Sequence, residues 1–456
     1  MNYHEALKAV DSIIRRSERD PAGYVGAIQN PEELKRKINL TLPETGVSEE
    51  VLLQDLENYL KHTPHTLTPR FQNQLFSGLH PASLAGEILA TYTNTTMATY
   101  EVAPVATLME RELTSHIRKK IGWTEGDGIM VTGGSNANFV GMLLARNLRY
   151  PLTKLNGNGN HKFTAFVSEE SHYSFDKACN MMGLGISALR KVASTESGLM
   201  DVNALRSEIK KSLGAGETPF FIGATAGTTV LGVYDPIDEI AVVAKEFNLW
   251  LHVDGAWGGC VVLSENQRHL VKGIESADSV GIDTHKMLGT GLMSSFLVTK
   301  HPQALRKSND SGGADYIFHA SDESDLNLGP SSLQCGRRAD AVKVWMLWRA
   351  LGDRGISQMV DTLFSHARTA ALLIQEMPEL KLLQAPAMLN VCFEFTDKNY
   401  QVGAARQRLL QTGNHYVNIA TRKNATFFRL ITAHPDLNEK ILKETLVDII
   451  KHGASV

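Results

Sequence analysis

The sequence predicts an α/β protein with a smaller α+β portion toward its C-terminus, and three observations carry that expectation. From about residue 63 to 343, short β-branched or aromatic runs alternate with helical stretches, the pattern of a mostly parallel sheet covered on both faces. The length, 456 residues, exceeds what one growing core supports, so two or more domains are expected. Finally, unusual polar residues fall just after several of the apolar runs, where an α/β sheet gathers its ligands.

The elements follow in chain order. Residues 1–62 form an N-terminal helical segment made of YHEALKAVDSII, PEELKRKI and SEEVLLQDLENYLKH, separated by Pro and Gly turns. Helices this short need a neighbour to bury their apolar faces. Charges at Glu5, Lys8 and Asp11 break the apolar core that a secretory signal requires, so none is expected. Residues 63–343 form the large domain. In it FTAFVS, PFFIGATAG, LWLHVDG, SVGIDTH and SSFLVTK read as strands, and NANFVGMLLARNL, ALRSEIKKSL and DEIAVVAKEFN as helices. KLNGNGNH (154–161) reads as a surface loop. ADAVKVWMLWRALG and RGISQMVDTLFSHARTAALLIQEM are long helices leading out of it. The small C-terminal domain, 344–456, holds LNVCFEF, TFFRLIT and NEKILKETLVDIIKHG.

Composition narrows the function. Lys plus Arg number 46 against 49 Asp plus Glu, a formal charge of -3 without a basic block, which speaks against a nucleic-acid partner and for small-molecule chemistry. Cys179, Cys260, Cys335 and Cys392 have neither metal-ligand nor C-x-x-C spacing, so reduced thiols in a cytoplasmic protein are expected and no metal site is. The longest apolar stretch, LWLHVDGAWGGCVVL, is interrupted by His252 and Asp254; no membrane span is expected.

Four strand ends look chemical. In VTGGSNANF the glycines 133 and 134 precede a helix, which suits an anion such as phosphate. In SEESHYSF, His172 is either a capped histidine or a flat ring for stacking. In LWLHVDGAWGG, Asp254 ends a strand apolar enough to be central, and a buried carboxylate there needs a partner. In SVGIDTHKMLGTG, Lys286 follows the next strand. Each has an ordinary structural reading alone: a tight turn, a helix cap, an ion pair, a surface lysine. Together, an amine, a carboxylate, an anion cradle and a stacking ring are what pyridoxal 5'-phosphate requires.

The chain resembles the group II pyridoxal-phosphate-dependent amino-acid decarboxylases, and among them the cysteine sulfinate and glutamate decarboxylases. The likeness runs from about residue 66 to the C-terminus. It rests on RFQNQLFSGL, NTTMATYEVAPVATLME, GDGIMVTGGSNAN, ATAGTTVLGVYDPI, HVDGAWGG, THKML and LQCGRRAD. It implies the fold type I architecture of the aspartate aminotransferase-like enzymes, with a seven-stranded large-domain sheet. It further implies Lys286 as the Schiff-base lysine, Asp254 as partner of the pyridine nitrogen, and His172 stacked on the ring opposite Ala256. Gly134, Ser135, Asn136 and His285 would sit at the phosphate, and Thr225 near the cofactor. Tyr316, in the segment GGADYIFHASDESDLNLG (312–329), matches a proton-donating tyrosine on a catalytic loop that works across a homodimer interface. Arg429 matches the arginine that binds the substrate carboxylate, and Gln74 a residue that reads the side-chain acid. Phe76 follows the cysteine sulfinate enzymes and should shorten the pocket. Thr96 and Ala98 depart from the family pattern, and Ala98 should widen it.

The expected activity is therefore α-decarboxylation of a small acidic L-amino acid, cysteine sulfinate or aspartate ahead of glutamate. A decarboxylase of a non-acidic amino acid (diaminobutyrate, aliphatic or aromatic), a lyase or transaminase on the same fold, and a non-catalytic relative are the competing readings. Tyr316 stands against the lyase and transaminase readings, and the intact Lys286, Asp254 and His172 against the last.

Overall fold

The computed structural model describes residues 1–17, 23–76, 78–312, 314–319 and 323–453. The strands, in chain order, are β1 (Phe71–Gln72), β2 (Asp127–Val131), β3 (Phe163–Ser168), β4 (Leu189–Val192), β5 (Thr218–Thr225) and β6 (Trp250–Gly255). They continue as β7 (Ser279–Asp283), β8 (Ser295–Thr299), β9 (Leu380–Leu382), β10 (Asn390–Phe395), β11 (Tyr416–Arg422) and β12 (Ala425–Ile431). The chain divides into two units: one of residues 1–78, 366–385 and 391–456, the other of 79–365 and 386–390.

The larger unit is built on a seven-stranded sheet of order β2-β8-β7-β6-β5-β3-β4. The pairings β7–β6, β6–β5, β5–β3 and β3–β4 are parallel. Only β8 runs against its neighbours. This is the fold type I architecture. Strands β3, β6 and β7 are buried along their whole length, as parallel strands with both faces covered must be. The helix Gly134–Arg149 covers one face, and its Val140, Leu144 and Ala145 join Phe163, Phe175, Phe220 and Phe221 in the core. Each fully buried phenylalanine contributes roughly 1.5–3 kcal/mol. Gly141 lets this helix close on the sheet, because a Cβ there would stand 2.6 Å from His252 Nδ1.

The expected strands and helices of this region are present, with some differences: KLNGNGNH, expected as a loop, begins inside a helical turn, Thr153–Asn156. The run SVGIDTH stops being strand at Asp283, and Thr284–Met287 is a single helical turn. That turn begins where Thr284 N and His285 N both bond Ser294 O, which draws the backbone out of the ladder. Strands β2 and β4 and the helices Pro81–Thr93 and Pro104–Ile121 were not among the expected runs; β4 is a short edge strand with an exposed middle, too brief for a clear period. The two long C-terminal helices meet at Gly352, whose φ of 62° and ψ of 177° break the helical run Ala341–Glu376. Glycine adopts that conformation without strain.

The smaller unit carries a five-stranded sheet, order β1-β11-β12-β10-β9. The helices Val402–Thr412 and Glu439–Gly453 bury Leu409, Leu442 and Leu446 in the same core as Phe393 and Phe428 of the sheet. Its N-terminal helix Tyr3–Arg16 starts with a capping box: Asn2 Oδ1 accepts from Glu5 N at 3.1 Å and Glu5 Oε2 from Asn2 N at 2.6 Å. Ile13 is that helix's only buried residue. Among the described residues, no helix is long and apolar enough to cross a membrane.

Candidate active site

The strand register brings the candidates together. Thr225, the last residue of β5, pairs with Asp254 near the end of β6, and β7 ends one strand further along at Asp283. Between these ends lies a cavity of about 240 Å3 lined by Gly134, Ser135, His172, Thr225, Asp254, Ala256, His285 and Lys286, together with Asn138, Asp283 and Trp257. Asn136, expected at the phosphate, is not in its lining; its Oδ1 is buried without a partner.

Asp254 is 4% exposed, and both its oxygens are occupied. Oδ2 accepts from Asn138 Nδ2 at 2.7 Å and Oδ1 from Ala256 N at 3.1 Å. Asn138 in turn faces His252, its Oδ1 lying 3.0 Å from Nε2, while His252 Nδ1 lies 2.8 Å from Ser279 Oγ. Trp250 Nε1 donates to that same hydroxyl at 2.9 Å. The bonds are mutually consistent for one tautomer: the Ser279 hydroxyl donates to Nδ1, and Nε2–H donates to Asn138. Complete burial pushes the His252 imidazole down to about 3, so the ring stays neutral, as that tautomer requires. A neutral, fully bonded chain thus fixes the Asp254 carboxylate.

Lys286 stands on the single turn after β7, and its Nζ pairs with Asp283 Oδ2 at 3.1 Å. An ammonium at this depth needs such a counter-charge. His285 is buried beside it with Nδ1 2.9 Å from Ser294 O; burial lowers its pKa, opposed by Asp283. His172 is half-buried, with Nδ1 accepting from Ser174 N at 3.3 Å. Burial lowers its pKa too, the nearby Asp254 acting against it, so its ring is available as a neutral stacking surface.

The turn Gly133–Gly134 starts the helix Gly134–Arg149. Gly133 has φ 110°, a conformation that favours glycine, and a Cβ on Gly134 would meet Ala256 Cβ at 2.6 Å. The backbone here can approach a ligand because these positions have no side chain, and the helix N-terminus favours an anion. Thr225 N is anchored on Asp235 Oδ2 at 2.8 Å, which leaves Thr225 Oγ1 buried without a partner at the cavity. Burial raises the Asp235 carboxyl to about 6.

The residues fit pyridoxal 5'-phosphate. They supply an amine, a fixed carboxylate, a neutral ring, an unpartnered hydroxyl and a glycine cradle at a helix N-terminus. Sequence reasoning missed Asn138, His252 and Asp283. A signal for the first was present: Asn138 lies three residues from Gly141, on the apolar face of its helix, where a lone amide needs a buried partner.

The remaining expected residues lie elsewhere. Thr96 and Ala98 belong to the larger unit but do not line this cavity: Thr96 Oγ1 accepts from Arg337 N at 3.3 Å, and Ala98 O accepts from Gly329 N at 2.9 Å. Tyr316 is 82% exposed; of its segment, residues 313 and 320–322 lie outside the described residues, as does Ser77 beside Phe76. In the smaller unit Gln74 is exposed, and the Phe76 ring packs on Phe71 at 5.6 Å. Arg429 is 7% exposed, its Nη2 donating to Asn73 O at 3.5 Å. A solvent-facing arginine on an open sheet would not be buried in this way.

Comparison with known proteins identifies the family. Residues 31–396 match the pyridoxal-dependent decarboxylase conserved domain. The chain is 38% identical over 428 residues to the cysteine sulfinic acid decarboxylase of Mus musculus, covering 90% of this chain and 87% of that one. It is 36% identical over 444 residues to the acidic amino acid decarboxylase GADL1 of Mus musculus, covering 93% and 81%. It is 35% identical over 372 residues to the L-aspartate decarboxylase dtxS4 of Metarhizium robertsii, covering 80% and 74%. The crystal structure of mouse CSAD superposes with a TM-score of 0.96 at 35% identity, over 99% of both chains.

Proposed function

This chain belongs to the pyridoxal-dependent decarboxylase family, and from that premise we propose that it removes the α-carboxylate of a small acidic L-amino acid, with cysteine sulfinate or aspartate preferred over glutamate. The observation that carries the reading is the convergence of Lys286, Asp254, His172 and the Gly133–Gly134 turn on one cavity. The substrate class is supported by relatives that act on cysteine sulfinic acid, acidic amino acids and aspartate.

When bound, pyridoxal 5'-phosphate supplies the electron sink for the pair left behind as carbon dioxide departs. The chain's own residues then have distinct tasks. Lys286 would provide the attaching amine, giving up its ion pair with Asp283. Asp254, held by Asn138 and Ala256, keeps a proton on the ring nitrogen. His172 and Ala256 would cover the two faces of the bound ring; Ser135, Asn136 and His285 would serve its phosphate beside Gly134, and Thr225 Oγ1 would donate to a polar substituent. Tyr316 returns a proton to Cα. Arg429 takes the substrate carboxylate, which suits a bidentate guanidinium, while Gln74, Phe76, Thr96 and Ala98 select the side chain. We place the protein in the cytoplasm as a homodimer. The free thiols, Cys335 among them exposed, support the first. The exposed Leu7, Val10, Ile14, Val51, Leu52 and Leu56 of the N-terminal helices support a second copy of the chain.

Carbon dioxide release by the cofactor-loaded protein, compared for cysteine sulfinate, aspartate, glutamate and a branched aliphatic amino acid, tests the substrate. The shorter acids should be preferred; release only from the aliphatic amino acid would overturn the class. A Tyr316→Phe enzyme should lose most of its amine product, and normal amine release would remove Tyr316 from the reaction.

A further inference from the structure

Asp283 has no place in the family-based expectations, yet it is the acid nearest the attaching lysine. Its side chain is 1% exposed. Oδ2 pairs with Lys286 Nζ at 3.1 Å, accepts from Gly134 N at 3.3 Å and lies 3.7 Å from His285 Nε2. Oδ1 is buried with no partner, although the side chain lines the cavity. One carboxylate oxygen therefore holds two groups that the cofactor needs: the first amide of the phosphate cradle and the amine that takes the aldehyde carbon.

A phosphate dianion and a carboxylate that is only 1% exposed repel each other strongly when they share one donor. Attachment would weaken the main compensation, because the Lys286 nitrogen, once bonded to the cofactor, would keep at most one of the three N–H donors that an ammonium offers Asp283. The other titratable groups facing Asp283 offer no replacement. Burial keeps His285 on its own turn and His172 after β3 toward the neutral form. Burial likewise keeps Cys260, on the turn Gly259–Leu263, as a thiol. Lys343, which acts on His285, is already paired with Glu87 and Asp340.

We propose that Asp283 takes up one proton from solvent as pyridoxal 5'-phosphate binds, and that the neutral acid then donates from Oδ1 to a phosphate oxygen while Oδ2 keeps accepting from Gly134. Cofactor capture is thereby coupled to proton uptake. The inference rests on the cofactor reading above and adds to it a role for this residue. Its consequence is an affinity that falls by about tenfold per pH unit, one proton's worth of linkage.

The test is calorimetric titration of the full-length, cofactor-stripped protein between about pH 7 and 9, where a phosphate monoester has already lost its second proton. Buffers of different ionisation enthalpy count the protons. Pyridoxal 5'-phosphate is compared with pyridoxal, and the wild type with Asp283→Asn, whose amide mimics the neutral acid. The wild type should take up one more proton with the phosphorylated ligand than with pyridoxal, and one more than Asp283→Asn does. The variant's affinity should be correspondingly flatter with pH. Equal proton counts for the two ligands, or for wild type and variant, would overturn the proposal. If Asp283→Asn does not fold, the two-ligand comparison on the wild type decides alone. Failure of the wild type to bind pyridoxal 5'-phosphate at all would instead overturn the cofactor reading, and this proposal with it.

Discussion

Asp254 and Asp283 close neighbouring parallel strands, are buried to nearly the same degree and line the same cavity, yet they are held in opposite ways. Neutral donors occupy both oxygens of Asp254, and Asn138, His252 and Ser279 brace them from behind. Asp283 has one oxygen among charged groups and the other without a partner. A carboxylate tied by neutral groups keeps its position whatever arrives at the cavity. One tied by a lysine that must change its bonding cannot. The contrast separates a permanent electrostatic fixture from a group whose charge follows the ligand.

The largest expected effect comes from removing the fixture. Asp254→Asn leaves the shape but not the charge that keeps a proton on the ring nitrogen, so kcat for amine formation should fall by roughly 10²–10⁴-fold. Activity close to the wild type would erase the functional difference between the two acids. Breaking the brace should cost less. Asn138→Leu strips a partner from Asp254 Oδ2, Ser174 Oγ and His252 Nε2 together, and stability should drop by about 1–3 kcal/mol in urea denaturation. An unchanged midpoint would show that Asp254 is held by Ala256 alone.

The smallest effect is a titration. His252 has its folded pKa lowered from 6.5 to about 3 by burial. Below pH 6.5 the unfolded chain takes up a proton that the folded chain refuses, so stability falls as pH falls through that window. Over the first unit below 6.5 this residue should account for about 1 kcal/mol. Thermal melts of the wild type and His252→Gln across that unit measure it; identical pH slopes would mean that the ring is not locked in its neutral tautomer.

How much of this was readable beforehand follows from the same contrast. Lys286, Asp254, His172 and the Gly133–Gly134 turn stand out because each interrupts or ends an apolar run, and the sheet gathers such ends on one edge. Asp283 hid as the last letter of a strand pattern, and nothing in SVGIDTH says that its carboxylate faces the lysine three residues on. Asn138 and His252 meet because Gly141 lets the helix of Asn138 close on β6, which carries His252, a contact between segments more than a hundred residues apart. Arg429 in TFFRLIT has the pattern of a surface residue, and its burial is a property of the folded unit. For Tyr316, Gln74 and Phe76 the family likeness alone gave the assignment, since an exposed aromatic or amide carries no periodic signal.

The central claim is that this cavity fastens its cofactor through Lys286. Borohydride reduction of the cofactor-loaded protein, followed by peptide mapping of the fixed pyridoxyl group, tests it directly. The account predicts the label on the peptide containing THKML, at Lys286. A label on Lys343 or another lysine, or no fixed label on a protein that releases carbon dioxide, would contradict it.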